Sequence, residues 1–159
     1  MEIIVTGSGC RIREHVEDIA RFSAEMLMPK LSPSLFLKIE LIPNLLKKEG
    51  IYGDCGPDDF SDDFNRPRDF VIRTDSRIDK RKLLLTICHE MVHVKQYARG
   101  ELYYSSRKSM NRWQGAWIKK DLDYWDSPWE IEAMGRESGL FVRWAKSRKL
   151  IKQKWAQEP

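Results

Sequence analysis

Two of the chain's three histidines fall within five residues, in the run His89-Glu90-Met91-Val92-His93. On a helix, the i, i+4 spacing sets both imidazoles on one face, about 6 Å apart at Cβ, where they can share a cation. Glu90 is rotated about 100° from His89, which lets its carboxylate reach a water on that cation without ligating the cation itself. Zinc suits this set. It takes imidazole nitrogen, needs no fixed ligand field, and lowers the pKa of a bound water to about 7. Glu90 is then the expected general base, taking the water's proton and passing it to a leaving amine. The chemistry these residues predict is hydrolysis of an amide bond, with a peptide or protein as substrate. Two surface histidines on an ordinary amphipathic helix are the alternative, and the apolar residues on both sides of the motif argue against it.

A catalytic zinc site needs a third protein ligand and one open position. No histidine follows His93, His15 lies far upstream, and Cys10, Cys55 and Cys88 form no CxxC pair. Downstream, Ser127-Pro128-Trp129-Glu130-Ile131-Glu132-Ala133 presents two acids at a helix start. Helical spacing puts Glu130 on a face with Ala133, Met134 and Phe141, and Glu132 with Gly135, Arg136 and Gly139. The first face is the one expected to pack on the core, which favours Glu130 and leaves Glu132 as the alternative. An acidic first turn that merely complements the helix dipole would need neither.

Two helices must therefore be brought together. Leu83, Leu84, Ile87, Met91 and Val94 recur at helical spacing, with Ser76 and Asp79 placed to cap the start and Gly100 to end it. A second helix opens at Asp126-Ser127-Pro128, and Leu140, Trp144, Ser147, Ile151 and Trp155 mark one face of it almost to the C-terminus. Ahead of these, Glu2 to Thr6 predicts a strand. Ile12 to Leu27 predicts a helix that Pro29 stops, and Leu35, Leu37, Ile39 and Leu41 form the inner face of a second strand. Gly50 to Arg68 reads as a long acidic surface loop, with a short strand around Ile51-Tyr52. Phe70 to Thr74 is a further strand, and the aromatic stretch from Glu101 to Asp126 holds a hairpin or an irregular excursion. Strands and helices mix without regular βαβ alternation, so the expected class is α+β, a single domain over 1–159 with a small twisted mixed sheet and a backing helix.

HExxH followed, a few dozen residues on, by a helix bearing Glu-x-Glu-Ala resembles the gluzincin clan of zinc metallopeptidases, most of all small phage and bacterial members. The likeness is firm over about residues 70–140. It implies a compact zincin-like fold, and it implies that His89, His93 and Glu130 bind zinc while Glu90 acts as the base. Later-histidine arrangements, as in metzincins or the Spartan type, are excluded because no histidine follows His93. In many gluzincins an acid four positions after the ligand supports the site; here that position is Met134. Tyr97, Tyr103, Tyr104 and Tyr124 are the residues of suitable type to stabilise an oxyanion, and the sequence singles out none of them.

The remaining signals set bounds. At 159 residues and 18.8 kDa, with 42% hydrophobic and 33% charged residues, the chain has enough apolar material for a core and is not disordered. No apolar run approaches the length of a membrane-spanning helix, so no membrane partner is expected. The unpaired cysteines and a start, Met1 to Gly7, without a basic or long apolar leader lead us to expect a cytoplasmic protein. Gly7-Ser8-Gly9 lacks the rest of a phosphate loop and reads as a turn. Cys55 reads as a free loop thiol, Cys88 as core, and His15 as a helix-surface histidine. From about 141 to 159 the tail carries six basic residues from Arg143 to Lys154, interleaved with Trp144 and Trp155, and no acid among them. A second reading follows: a catalytically silent zincin-fold module that contacts nucleic acid or an acidic partner through this basic C-terminal helix. A solvated basic face is the simpler account of the same residues.

Overall fold

The computed structural model describes residues 1–7, 9–58, 66–119 and 121–157. In chain order the elements are β1 (Glu2–Thr6), α1 (Cys10–Leu27), β2 (Phe36–Ile42), α2 (Leu45–Glu49), β3 (Gly53–Pro57), β4 (Asp69–Asp75), α3 (Lys80–Ala98), β5 (Leu102–Ser105), β6 (Met110–Trp113), β7 (Ala116–Trp117) and α4 (Pro128–Ser147). The alternation in β2 orients the main sheet: Leu37, Ile39 and Leu41 are buried while Lys38 and Glu40 stay partly exposed. β4 repeats the pattern with Phe70, Ile72 and Thr74, so the two strands offer one continuous apolar face. β1, β2 and β4 run parallel, and β3 returns antiparallel on the outer side of β4, giving the order β1-β2-β4-β3. α1 and α3 pack on this sheet and α4 packs on α3, forming one α+β domain with a single core.

α3 sits at the centre of the core. Its apolar residues from Leu83 to Ala98 are buried nearly all round, and so are Glu90, His93, Lys95 and Gln96. A helix surrounded in this way must find partners for its polar residues inside the protein. Its ends are well defined. The Asp79 carboxylate accepts the Lys82 N–H at 2.9 Å, so Asp79 alone is the cap, while the Ser76 amide bonds back to the Ile42 carbonyl. At the far end Gly100 takes φ 70°, and the Glu101 and Gly100 amides bond to the Gln96 and Tyr97 carbonyls, closing a Schellman turn.

The structure departs from the sequence expectation in four places. The strand expected at Ile51-Tyr52 lies two residues on, at Gly53–Pro57, and part of the acidic loop, 59–65, falls outside the described residues. Cys55 is therefore on a strand, not in a loop. The hairpin offered for the aromatic stretch is present, with Arg112 and Trp113 of β6 paired to β7, and β5 extends it to a three-stranded antiparallel meander. The last helix does not reach Trp155. It ends at Ser147 in a second Schellman turn: Lys149 takes φ 59°, and the amides of Leu150 and Lys149 bond to Ala145 and Lys146. The tail then folds back, burying Ala156 and setting Trp155 edge-on to His15, with Lys80 above its ring. His15 is accordingly half-buried between Trp144 and Trp155 and is not a free surface histidine.

Candidate metal centre and its cleft

His89 and His93 project from the middle of α3 toward the first turn of α4, which carries Glu130. The three side chains converge. His89 Nε2 lies 3.2 Å from Glu130 Oε2 and 3.2 Å from His93 Nε2, and His93 Nε2 lies 3.5 Å from Glu130 Oε1. Each contributes one donor atom to a group whose members all lie within 4.8 Å of one another.

What lies behind the histidines decides how their rings are turned. His89 Nδ1 is 2.8 Å from Glu137 Oε2, an acceptor only, so Nδ1 holds the proton and Nε2 faces inward. His93 Nδ1 is 2.8 Å from Gln96 Oε1. The Gln96 amide cannot be reversed, because its Nε2 already donates to the Trp129 carbonyl at 2.9 Å and to Glu132 Oε2 at 3.0 Å. His93 therefore also carries its proton on Nδ1 and turns Nε2 inward. Two imidazole nitrogens and a carboxylate aimed at one point form a donor set that could hold a divalent metal ion. The two nitrogens, 3.2 Å apart, stand close to the separation of two ligands about 2.05 Å from a tetrahedral ion, about 3.3 Å.

Glu132, the alternative ligand, is elsewhere. It accepts from Lys95 Nζ at 2.7 Å, from Arg136 Nε at 2.8 Å and from Gln96, and so belongs to the network behind the cluster. The second face of α4 carries structural ion pairs, and the first carries the convergent acid.

The electrostatics follow from this packing. Burial pushes the Glu90 carboxyl up to about 7, against the pull of His93 and His89. Burial disfavours the charged form of His89, yet its hydrogen bonds to Glu130 and Glu137 raise it to about 10. His93 is raised by its bond to Glu130, again against burial. Burial works to raise Glu130, but the adjacent His89 and His93 imidazoles hold it far below the usual carboxylate range. Acids packed around the two imidazoles thus favour positive charge at this point of the structure.

The cluster lies at the bottom of a cleft of about 880 Å³. One wall is β3, the edge strand, and it comes close to α3 because residue 53 is glycine. A Cβ there would stand 2.7 Å from Thr86 Cγ2, 2.8 Å from the Arg73 carbonyl oxygen and 3.3 Å from Glu90 Oε1. The opposite wall holds Trp125 and Trp129. Of the four tyrosines considered, Tyr97 and Tyr124 line the cleft, and the Tyr124 hydroxyl donates to Glu130; Tyr103 and Tyr104 are not part of its wall. Cys55 also lines it, near Glu90, and burial raises its thiol well above the ordinary range. Cys88 is in the core, as expected.

Glu137 and Gln96 were not singled out from the sequence. A signal existed: Glu137 lies seven residues after Glu130, two turns on along the same face, and Gln96 lies one turn after His93. Met134, at the position where the resemblance implies a supporting acid, lines the cleft, and Glu137 supplies the supporting carboxylate one turn later. No family model matches the chain, and no curated protein or solved structure does either.

Proposed function

We propose that this chain is a zinc-dependent metallopeptidase of the gluzincin type with a zincin-like fold, in which His89, His93 and Glu130 hold the metal and Glu90 is the general base. The observation that carries this reading is the fixed tautomer of both histidines, one turned by Glu137 and the other by the buried Gln96, so that Nε2 meets the Glu130 carboxylate. Zinc held there would supply Lewis acidity, polarising the scissile carbonyl and making water nucleophilic at neutral pH. Glu90, one residue from His89 and outside the ligand group, accepts the proton of the attacking water and delivers it to the leaving nitrogen. The outer edge of β3 has no strand partner among the described residues, so an extended peptide can add to it and lie over α3. Glu137 and Gln96 hold the imidazoles in place at the cleft.

Metal content of the purified protein tests the assignment. About one zinc per chain is expected in the wild type and in Glu132→Ala, with loss in His93→Ala and Glu130→Ala. Zinc-loaded wild type is then expected to cleave peptides, and Glu90→Gln to lose about 10²- to 10⁴-fold in rate. No zinc bound, even on reconstitution, would overturn the reading. The alternative, a silent binding module, would show instead as salt-dependent nucleic-acid binding that Glu90→Gln leaves unchanged. Arg143, Lys146, Lys149, Lys152 and Lys154 are exposed and available for it, but Trp144 is fully buried and Trp155 half-buried, so neither is free to stack on bases.

A further inference from the structure

Besides the two histidines, five charged side chains line the cleft: Asp54, Lys82, Glu90, Glu130 and Glu137. The four carboxylates are matched. Arg73 Nε donates to Asp54 at 2.9 Å, Glu130 and Glu137 accept from the histidines, and Glu90 lies in the field of the same two rings. Lys82 is different. It is the one lysine or arginine on the cleft wall among the described residues, and no described carboxylate lies within ion-pair distance of its Nζ. Its Nζ stands over the Tyr52 ring, 4.4 Å from the centroid. That contact holds the ammonium in position without using its N–H donors, which stay free for an acceptor. Lys82 therefore places a positive charge on a wall that also carries four acids, with no carboxylate of its own among the described residues.

We propose that Lys82 forms a carboxylate-binding subsite, so that the cleft selects ligands with a carboxylate a short distance from the bond presented to the histidines. This rests on the peptidase reading for what that bond is. Lys82 precedes His89 by seven residues, about 10 Å along the helix. An extended peptide covers that distance in about three residues. Tyr52 directly precedes β3, so the Lys82–Tyr52 pair stands at the end of the edge strand on which such a peptide would lie. The carboxylate belongs either to an Asp or Glu side chain about three residues from the scissile bond or to the C-terminus of a short peptide.

The test uses the full-length, zinc-loaded protein with Glu90→Gln to prevent turnover, alone and combined with Lys82→Met or Lys82→Glu. Fluorescent peptide pools of one length, enriched in Glu, Lys or Gln, each with a free or an amidated C-terminus, are titrated by anisotropy. The Glu-enriched pool or the free-carboxylate pools are expected to bind about tenfold more tightly than their counterparts, the effect of one charge-assisted hydrogen bond. Lys82→Met removes the difference and Lys82→Glu turns it toward the Lys-enriched pool. Loss of the preference on amidation assigns the carboxylate to the C-terminus; its persistence assigns it to a side chain. Equal binding of all pools, or a preference that Lys82→Glu leaves in place while its melting temperature matches the parent, overturns the proposal. Cleavage of the same pools by the wild type separates the two inferences. Cleavage without charge preference removes the subsite and keeps the peptidase, whereas a Lys82-dependent preference without cleavage does the reverse.

Discussion

At the scale of single residues, the unusual feature is how much support two imidazoles receive. Glu137 accepts from His89, and Gln96 is held by the Trp129 carbonyl and Glu132 so that only its oxygen can face His93. Such outer partners tune ligand basicity and orientation, so Glu137→Gln is expected to weaken zinc binding about 10- to 100-fold, read by competition with a chromophoric chelator. Glu90 supplies a complementary test. With its carboxyl raised to about 7 by burial, the metal-free protein is expected to show a carboxyl resonance titrating near neutrality in ¹³C NMR. Zinc, a nearby positive charge, is expected to move that midpoint to lower pH. A carboxyl titrating in the ordinary acidic range in the metal-free protein would contradict the burial argument.

At the scale of elements, the close approach of β3 to α3 positions the cleft wall, and Gly53 permits it. Gly53→Ala would press a methyl against Thr86 and the Arg73 carbonyl, which forces a shift of strand against helix. We expect a loss of about 1–3 kcal/mol in urea unfolding, together with impaired cleavage, because Glu90 is the third neighbour of that methyl. The loop joining β4 to α3 depends on Asp75, which is almost fully buried. Burial favours its protonated form, but the amides of Arg77, Leu46 and Asn44 outweigh that and hold its pKa low. Its folded value lies below its unfolded value of about 3.9, so its stabilisation is complete above that pH and is lost as pH falls through the folded value. Asp75→Asn is expected to cost about 1–3 kcal/mol at pH 7, with the gap from wild type narrowing below about pH 4.

At the scale of the whole molecule, one core joins α1, α3 and α4 to the main sheet, so a ligand at the α3–α4 contact stabilises that whole core. Zinc at about a thousand times its Kd would add about 4 kcal/mol, which for a chain of this size raises Tm by about 8–16 °C. The same rise is expected in Glu132→Ala from a lower starting Tm, since that change breaks ion pairs with Lys95 and Arg136 and one bond from Gln96, while the Trp129 carbonyl still holds the Gln96 amide and the ligand atoms stay in place. In Glu130→Ala the rise is expected to disappear, which calorimetry with and without zinc would detect. Among the described residues no helix is long and apolar enough to cross a membrane.

Local rules were enough where the answer depended on neighbours in the chain. The alternation of β2, the period of α3, the Asp79 cap and the Gly100 stop are set by side-chain spacing and backbone preference, and all were legible in the sequence. The convergence of His89 and His93 on one face followed from the same 3.6-residue period. Three things required the tertiary structure. The end of α4 uses the same Schellman turn as α3, but with Lys149 in the left-handed position where glycine would have announced it; burial of the returning tail, Ala156 included, favours that turn over further helix. β3 is rich in glycine and acid and has little strand propensity of its own, and it becomes a strand through its pairing with β4. The difference between Glu130 and Glu132 depends on how α4 is rotated against α3. Periodicity alone gives only a preference for one face, and the buried contact between the helices decides it.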